Sequence, residues 1–332
     1  MTEITETLDP ALIDRFAAIV GDKYALRDER DIAPYLIERR GLWHGATSLV
    51  LRPGSVDEVS RIMRLATETG TPIVLKLFPK PKGREVAFAG LSSPEAALSL
   101  FSLAMDRAGA ALTAFELIGR RPYDFTLAHA QGVVRPLIED WPWYVLMQIS
   151  SGRSSEDSRA LIEDVLSAGL EQEFVGDAVI AASLGQGDAF WNFRELLPEA
   201  QKPEGASIKH DISVPIASIP RFIEEAAGAV ASVSAGARVV CFGHMGDGNL
   251  HYNISRPVDG DDEAFLALYH PMNKAVHGVV RSLHGSISAE HGIGQLKRDE
   301  LIATAPPMAI DLMRRVKAAF DPAGIMNPGK VI

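Results

Sequence analysis

The segment from Phe242 to Asn253 constrains the fold most, because Gly246-Asp247-Gly248 separates two short runs suited to β-strands. Glycine adopts positive φ without strain, so this composition predicts a tight turn between two antiparallel strands. In the simplest register His244 faces Asn249 and Phe242 faces His251. Side chains alternate along a strand, so one face collects four polar residues. These are His244, Asn249, His251 and Asn253. A pair of surface histidines is the alternative, but the composition of this face favours a functional site.

The chain outside this hairpin predicts an α+β fold, with an antiparallel sheet covered by helices. Helices are expected from Ser93 to Gly109, from about Ser155 to Gly169, from Pro220 toward Val233 and from Glu263 to His284. The other expected strands are Glu85–Ala89, Tyr144–Ile149 and Ser207–Val214, beside the hairpin strands Arg238–Gly243 and Asn249–Ser255.

The first 75 residues differ from this pattern. One or two helices over residues 11 to 40 precede a strand–helix–strand unit made of Ser48–Leu51, a helix capped by Ser55 and Gly70, and Thr71–Val74. The apolar stripe predicted for that helix is Val59, Ile62, Met63 and Ala66.

Composition limits the partners of this protein. The 332 residues carry a formal net charge of -10, which disfavours binding to nucleic acid or to anionic lipid. No apolar run approaches the ~20 residues that cross a bilayer. Cys241 is the only cysteine, and Met1 to Asp9 holds three acidic residues and no basic one. These features predict a reducing, cytoplasmic location without a targeting segment.

A second polar cluster, Ser288-Ala289-Glu290-His291-Gly292, follows the last long predicted helix. Glu290 is a candidate third ligand beside His244 and His251, a set that suits Zn or Mn and leaves one position open for a substrate oxygen. His291 is a candidate general base near neutral pH. Taken alone, the Glu-His pair is also explained as the end of a helix with a glycine cap.

These motifs, together with Asn327-Pro328-Gly329-Lys330, resemble the C-terminal half of the FAD-linked D-2-hydroxy-acid dehydrogenases. That family includes the D-lactate, D-2-hydroxyglutarate and glycolate dehydrogenases, among flavoproteins of the vanillyl-alcohol-oxidase type. The resemblance implies three domains: residues 1–75 as a remnant of an α/β FAD-binding domain, residues 76–305 as the substrate and metal domain, and residues 306–332 as a helix and tail returning to the FAD domain. It also implies oxidation of a D-2-hydroxy acid to the 2-oxo acid, FAD and Zn or Mn as cofactors, and an electron acceptor that the sequence does not identify. A homodimer is compatible with it.

The resemblance also implies roles for individual residues. His244, His251 and Glu290 match metal ligands, and His291 matches the base that removes the hydroxyl proton. Asn253 matches a residue that contacts the substrate. Arg194 and Lys209 match the pair that binds its carboxylate. Asn327 and Lys330 are weaker candidates for contacts to the flavin. Pro198 departs from the hydroxyl residue found at that position in hydroxyglutarate enzymes, which leaves the substrate open between the D-2-hydroxyglutarate and D-lactate classes.

The phosphate-binding turn of the family has no counterpart after Val74, where the chain continues as Leu75-Lys76-Leu77-Phe78 and no Gly-Gly pair occurs anywhere. We therefore expect a polypeptide of this sequence to bind FAD poorly, to be colourless and to expose apolar surface, with Gly41–Val74 its least stable part. Two alternatives follow: a flavin-free module that binds metal or carboxylate without activity, and a metallohydrolase that uses the same three ligands.

Overall fold

The computed structural model describes residues 9–36, 46–73 and 81–332. The chain divides into two compact units, Met1–Pro79 and Lys80–Ile332. Gly41–Gly45 and Val74–Lys80, which include the position after Val74 where the phosphate-binding turn was sought, lie outside the described residues.

The first unit is a small helical layer on a two-stranded ribbon. Its elements are α1 (Pro10–Val20), β1 (Ala25–Leu26), α2 (Glu29–Leu36), β2 (Val50–Leu51) and α3 (Val56–Thr69). The ribbon is antiparallel, with Ala25 opposite Leu51. Helix α3 begins and ends where the sequence predicts: Ser55 Oγ accepts from the Glu58 backbone N–H at 3.2 Å, and Gly70 adopts the left-handed conformation.

Two predictions for this unit were wrong. Thr71–Ile73 is not a strand, because the described residues of the unit contain no neighbouring strand beside it; β2 pairs instead with β1. The apolar stripe of α3 is also narrower than predicted. Ile62 and Ala66 are buried, whereas Val59 and Met63 are 44% and 47% exposed. The sequence pattern therefore located the helix but overestimated the face that it buries.

The second unit is a large antiparallel sheet with helices on both faces. Its strands are β3 (Gly83–Leu91), β4 (Leu112–Gly119), β5 (Trp143–Ser151), β6 (Asp177–Ile180), β7 (Ser207–Ile208), β8 (Asp211–Ser213), β9 (Arg238–His244) and β10 (Asn249–Ser255). Its helices are α4 (Pro94–Ala108), α5 (Arg120–His129), α6 (Ser155–Glu171), α7 (Leu184–Glu195), α8 (Leu197–Ala200), α9 (Ile219–Val233), α10 (Asp262–Leu266), α11 (Tyr269–Ser282), α12 (Arg298–Thr304) and α13 (Pro307–Phe320).

The strand order is β6-β3-β5-β4-β9-β10-β7, and β8 also pairs with β10. Alternate residues of each strand enter separate cores, which is the period-2 pattern of a sheet covered on both sides. One core contains Ala87, Met147 and Tyr252. The other contains Phe88, Leu146 and the helix α7 residue Phe193. The predicted α+β architecture is confirmed.

Several predicted boundaries are confirmed by the contacts that form them. Ser93 Oγ accepts from the Ala96 backbone N–H at 3.2 Å to cap α4, which ends at Gly109. Ser154 caps α6 in the same way, through Asp157. A serine side chain that satisfies a free N–H of the first helical turn is a local signal, so the sequence alone located these helices.

Other boundaries required tertiary contacts. Strand β4, strand β6 and helices α5, α7, α8 and α12 were not predicted. The predicted strand Ser207–Val214 is two short strands, β7 and β8, interrupted at Lys209 and His210. The predicted helix Glu263–His284 is broken between α10 and α11, because Pro271 provides no N–H for the hydrogen bond of a continuous helix.

Helix α13 carries an exposed apolar row at every fourth residue. Its members are Met308, Leu312, Val316 and Phe320, which are 67%, 52%, 59% and 82% exposed. Apolar surface is therefore exposed along this helix, and nothing in the structure shows what covers it. Among the described residues, no helix is both long and apolar enough to cross a membrane.

Candidate active site

The β9–β10 hairpin forms the floor of the site. His251 lies opposite Phe242, as predicted. The observed register is the predicted one, but the β9–β10 ladder ends at this pair, and a 3-10 turn over Met245–Asp247 closes the hairpin before His244 and Asn249 join it. On the other side of β9, His244 lies opposite Glu116 on β4. Gly248 ends this turn at φ 75°, where a Cβ atom would lie 2.2 Å from the Val214 carbonyl oxygen, so only glycine fits there.

The three candidate metal ligands converge above this floor. His244 Nε2 lies 3.1 Å from Glu290 Oε1, and His251 Nε2 lies 4.0 Å from Glu290 Oε2. Their side chains are 36%, 15% and 45% exposed for His244, His251 and Glu290, so the cluster is open on one side. The sequence therefore identified residues that are distant along the chain and adjacent in space.

The cluster is not arranged as a finished coordination sphere. Among the described residues, no group of three His, Cys, Asp or Glu side chains has a geometry that holds a metal ion. Two donor atoms that each lie about 2.1 Å from a tetrahedral ion are roughly 3.4 Å from one another. The observed distances from Glu290 to His244 and to His251, 3.1 and 4.0 Å, lie on either side of this value. The chemistry of the donor set, two imidazoles and one carboxylate, is nevertheless one that borderline divalent ions accept.

Glu116 is a buried carboxylate beneath the cluster. It is 3% exposed, and it accepts from His244 Nδ1 at 2.6 Å and from Arg194 Nε at 2.8 Å. Burial alone would raise the pKa of Glu116, but the His244 hydrogen bond and the Arg194 charge outweigh it and lower the pKa. The same hydrogen bond to Glu116 raises the pKa of His244. Both shifts indicate an ion pair in the absence of metal.

His251 has the opposite electrostatic environment. Burial and the positive charge of Arg194 lower its pKa. Its ring packs on Phe242, with ring centroids 5.0 Å apart, and on His291, with centroids 5.6 Å apart. His251 is therefore held neutral, the protonation state that a metal ligand requires.

Arg194 is placed differently from a solvated surface charge. Its side chain is 9% exposed, and its guanidinium carbon lies 5.1 Å from the centre of the Phe242 ring. Nε is used by Glu116, whereas neither Nη atom forms a hydrogen bond or ion pair with any residue that the structure describes. Arg194 therefore keeps the outer edge of its planar fork available for an anion.

The loop that carries Glu290 and His291 is fixed by Asp211 on β8. The Oδ2 atom of Asp211 accepts from the backbone N–H groups of Ala289, Glu290 and His291 at 3.2, 2.9 and 2.9 Å. Burial raises the pKa of the Asp211 carboxyl, but the N–H groups of His291 and Glu290 lower it by more. Three consecutive N–H groups around one oxygen form an anion nest, so the segment is a loop and not the helix end considered above.

His291 is the most accessible of the titratable residues in the site. Its side chain is 67% exposed, and Nδ1 lies 3.9 Å from Asp211 Oδ2. The stacking on His251 places the imidazole at the edge of the ligand cluster. This position is compatible with a base that meets a substrate hydroxyl at the open side.

The remaining candidates fall into two groups. Asn253 lies on the site face of β10 but is 5% exposed, and its Nδ2 donates to Gln201 Oε1 at 2.9 Å. The pairing of β7 and β8 with β10 places exposed Lys209 opposite Asn253, on the face of His251. Asn327 and Lys330 form their own exposed turn, and neither has a hydrogen bond or ion pair with a site residue within the described ranges.

Three supporting residues were missed by the sequence analysis. They are Glu116, Asp211 and Lys297, the last of which donates to the Ile287 carbonyl at 2.8 Å below the loop. Glu116 had a signal, since it is one acidic residue inside the apolar run Phe115 to Ile118. A charge in such a run is either exposed at an edge or paired in the interior, and here it is paired.

The described residues of the first unit do not fit the phosphates of FAD. Gly21, Gly54 and Gly70 are isolated, and Asp57 and Glu58 occupy the first turn of α3. Anionic side chains at a helix N-terminus repel phosphate, and no run of glycine N–H groups replaces that turn in these residues.

Residues 80–331 match the family described as FAD linked oxidases, C-terminal domain. The chain belongs to this family. Its fold is similar to that of p-cresol methylhydroxylase with substrate bound, with a TM-score of 0.54 at 9% identity over 97% of this chain and 96% of the other. At that identity the likeness concerns the fold alone.

Curated relatives share more of the sequence. D-2-hydroxyglutarate dehydrogenase of Arabidopsis thaliana, a mitochondrial protein, is 33% identical over 79% of this chain and 45% of its own length. The D-2-hydroxyglutarate dehydrogenase of Stutzerimonas stutzeri is 37% identical over 66% of this chain and 47% of its own. The chain thus spans about half the length of the curated relatives that it matches.

Proposed function

We propose that this chain supplies the substrate-side residues for FAD-dependent oxidation of a D-2-hydroxy acid to its 2-oxo acid. The observation that carries the proposal is the convergence of His244, His251 and Glu290 beside a buried arginine and an exposed histidine. The names of the curated relatives support the same reaction class and do not favour the flavin-free module.

We assign His244, His251 and Glu290 as ligands of one divalent ion, zinc or manganese. The fit rests on two imidazoles and one carboxylate: the Glu290 oxygens lie 3.1 Å from His244 Nε2 and 4.0 Å from His251 Nε2. A bound ion would act as a Lewis acid toward the hydroxyl oxygen of the substrate. His251, whose pKa is lowered, is ready to ligate, whereas His244 releases a proton first.

We assign His291 as the base that takes the hydroxyl proton. Its imidazole is exposed at the open side of the cluster, and its backbone N–H is fixed by Asp211 at 2.9 Å. A base on a fixed loop can meet the proton of a bound alcohol at hydrogen-bond distance.

We assign Arg194 and Lys209 to the substrate carboxylates. The free edge of the Arg194 guanidinium matches the two oxygens of one carboxylate, and Lys209 is an exposed point charge on the same face. Two cations assigned to substrate carboxylates favour a dicarboxylate such as D-2-hydroxyglutarate over D-lactate. Pro198, which offers no hydroxyl group, is the feature that favours the smaller acid.

FAD is the hydride acceptor that the family implies, and the described residues of the first unit do not fit its phosphates. The residues above therefore account for binding of the acid and for removal of its proton. A metallohydrolase using the same ligands needs no carboxylate-binding pair, and the family assignment favours oxidation. We retain a cytoplasmic location as a proposal, supported by the single, buried Cys241.

Binding measurements on the zinc-loaded chain test the proposal. Isothermal titration with D-2-hydroxyglutarate, its L-enantiomer, D-lactate and glutarate separates the contributions of the hydroxyl group and the second carboxylate. D-2-hydroxyglutarate is expected to bind roughly tenfold more tightly than glutarate or the L-enantiomer, which lack or misplace the hydroxyl group and so lose about 1.4 kcal/mol of binding free energy. Equal binding of D-2-hydroxyglutarate and glutarate would show that the site does not recognise an alcohol, and would refute the proposed reaction.

A further inference from the structure

Glu116 joins two parts of the site that the sequence treats separately. It lies on the central strand β4, 3% exposed, and its two oxygens have different partners. Oε1 accepts from His244 Nδ1 at 2.6 Å, at the end of β9, and Oε2 accepts from Arg194 Nε at 2.8 Å, on α7. These partners lie 128 and 78 residues away along the chain. One carboxylate therefore contacts both a proposed metal ligand and a proposed substrate ligand.

The contact to His244 determines which ring nitrogen carries the proton. An ionised carboxylate only accepts hydrogen bonds, so Nδ1 is the donor toward Glu116. In the neutral imidazole the lone pair is then on Nε2, the nitrogen that lies 3.1 Å from Glu290. A carboxylate behind a histidine is a known means of fixing the tautomer and the orientation of a metal ligand.

The contact to Arg194 determines the direction of its guanidinium. Glu116 occupies Nε, so the edge formed by the two Nη atoms is left for another anion. The guanidinium carbon lies 5.1 Å from the centre of the Phe242 ring, and that ring lies 5.0 Å from the ring of His251. Arg194 is therefore held beside the histidines and not extended into solvent.

We propose that Glu116 is a positioning residue that orients His244 for metal and Arg194 for the substrate carboxylate at the same time. This inference rests on the proposed function and adds to it a dependence of both binding steps on one buried group. It also explains why a carboxylate is retained in the interior, where an apolar residue would avoid the cost of burying charge.

The proposal predicts a specific consequence of Glu116→Gln. The amide has one oxygen and one NH₂ group, so it cannot accept at both positions. The oxygen is expected to stay with Arg194, which cannot lose its proton. The NH₂ group then faces His244 Nδ1, which can accept only if the proton moves to Nε2. Neutral His244 would therefore change tautomer, and the lone pair would leave the proposed metal site.

Glu204 provides a matched control outside the site. It also joins an arginine and a histidine, through contacts to Arg238 Nη1 and to His129 Nε2, the latter at 2.6 Å. Neither partner belongs to the proposed site. Glu204→Gln therefore removes the same charge from the same kind of pair without touching the proposed ligands.

The test measures zinc affinity by competition with a chromophoric chelator on the full chain, for wild type, Glu116→Gln, Glu116→Asp and Glu204→Gln. Glu116→Gln is expected to weaken zinc binding by roughly 10- to 100-fold, the usual effect of losing such a partner. Glu204→Gln is expected to match wild type. If Glu116→Gln retains the wild-type zinc affinity while folded, as judged by circular dichroism, the proposal is wrong.

A second measurement does not depend on zinc, and its wild-type arm does not depend on a stable Gln variant. Nitrogen-15 NMR of the metal-free chain, above the titration of His244, reports which ring nitrogen is protonated. Wild type is expected to carry the proton on Nδ1, and Glu116→Gln on Nε2. Protonation of Nε2 in wild type overturns the inference. A wild-type chain that binds no zinc but has the Nδ1 proton overturns the proposed metal site and leaves the role of Glu116 in orienting His244 supported.

Discussion

Replacing Asp211 with asparagine is expected to release the loop that carries Glu290 and His291. The carboxylate oxygen Oδ2 accepts three backbone N–H groups, two of them at 2.9 Å and one at 3.2 Å. Hydrogen bonds to a charged group contribute about 1.5–3 kcal/mol each, against about 0.5–1.5 for a neutral one. The loss is therefore about 1 kcal/mol for each of the two shorter bonds and less for the third, or about 2–3 kcal/mol in total.

The assay combines urea unfolding with hydrogen exchange. Unfolding gives the change in free energy, and exchange at the amides of residues 289–291 shows whether the loop itself has loosened. Asp247→Asn is the control, since it makes the same chemical change at an exposed position of the neighbouring hairpin turn. If Asp211→Asn changes stability by less than about 0.5 kcal/mol and leaves exchange at these amides unchanged, Asp211 does not hold the loop.

Three further predictions concern acid stability, catalysis and the flavin. Burial lowers the pKa of His210 to about 3, and the positive charges of its neighbours His277 and Lys297 lower it further. His210 therefore stays unprotonated in the native state, whereas in the unfolded chain it takes up a proton below about pH 6.5. The free energy of unfolding should therefore fall as pH drops from about 6.5 toward 3, by up to about 1.4 kcal/mol per pH unit. Measured by urea unfolding, this free energy should depend less steeply on pH in His210→Asn; equal slopes in the variant and in wild type would contradict the prediction. In a flavin-containing preparation, His291→Ala should lower kcat by roughly 100- to 10,000-fold, whereas Arg194→Ala should mainly raise KM in dye-reduction kinetics; small and equal effects would remove both from the proposed mechanism. The purified chain should show no flavin absorbance band and should not reduce dye when FAD is added, and a yellow protein with stoichiometric FAD would contradict the expectation drawn from its missing phosphate turn.

Local chemistry in the sequence was sufficient for the ends of the helices and for the hairpin. Ser93 and Gly109 mark the two ends of α4, because a side-chain cap and a flexible C-terminal residue act within one helical turn. The pairing of Phe242 with His251 followed from side-chain alternation and a glycine-rich turn. These are short-range effects, and a single sequence carries them.

The supporting structure of the site could not be obtained in this way. Strand β4 contains Glu116 within an apolar run, and its burial is explained only by partners far away in the chain. Asp211 was part of a recognised segment, but its role depends on a loop about 80 residues later. The pairing of His244 with Glu116, across β9 and β4, has no local signal in the sequence. Tertiary contacts, not local preferences, made each of these choices.

Crystals of the chain soaked in zinc provide the most direct test of the proposed site. A difference map recorded across the zinc absorption edge is expected to contain one strong peak between His244 Nε2, His251 Nε2 and the Glu290 carboxylate, at about 2.0–2.2 Å from each. Glu290 should then have rotated away from its 3.1 Å contact with His244. No peak at this position under saturating zinc, or a peak held by other residues, would contradict the assignment of these three side chains as metal ligands.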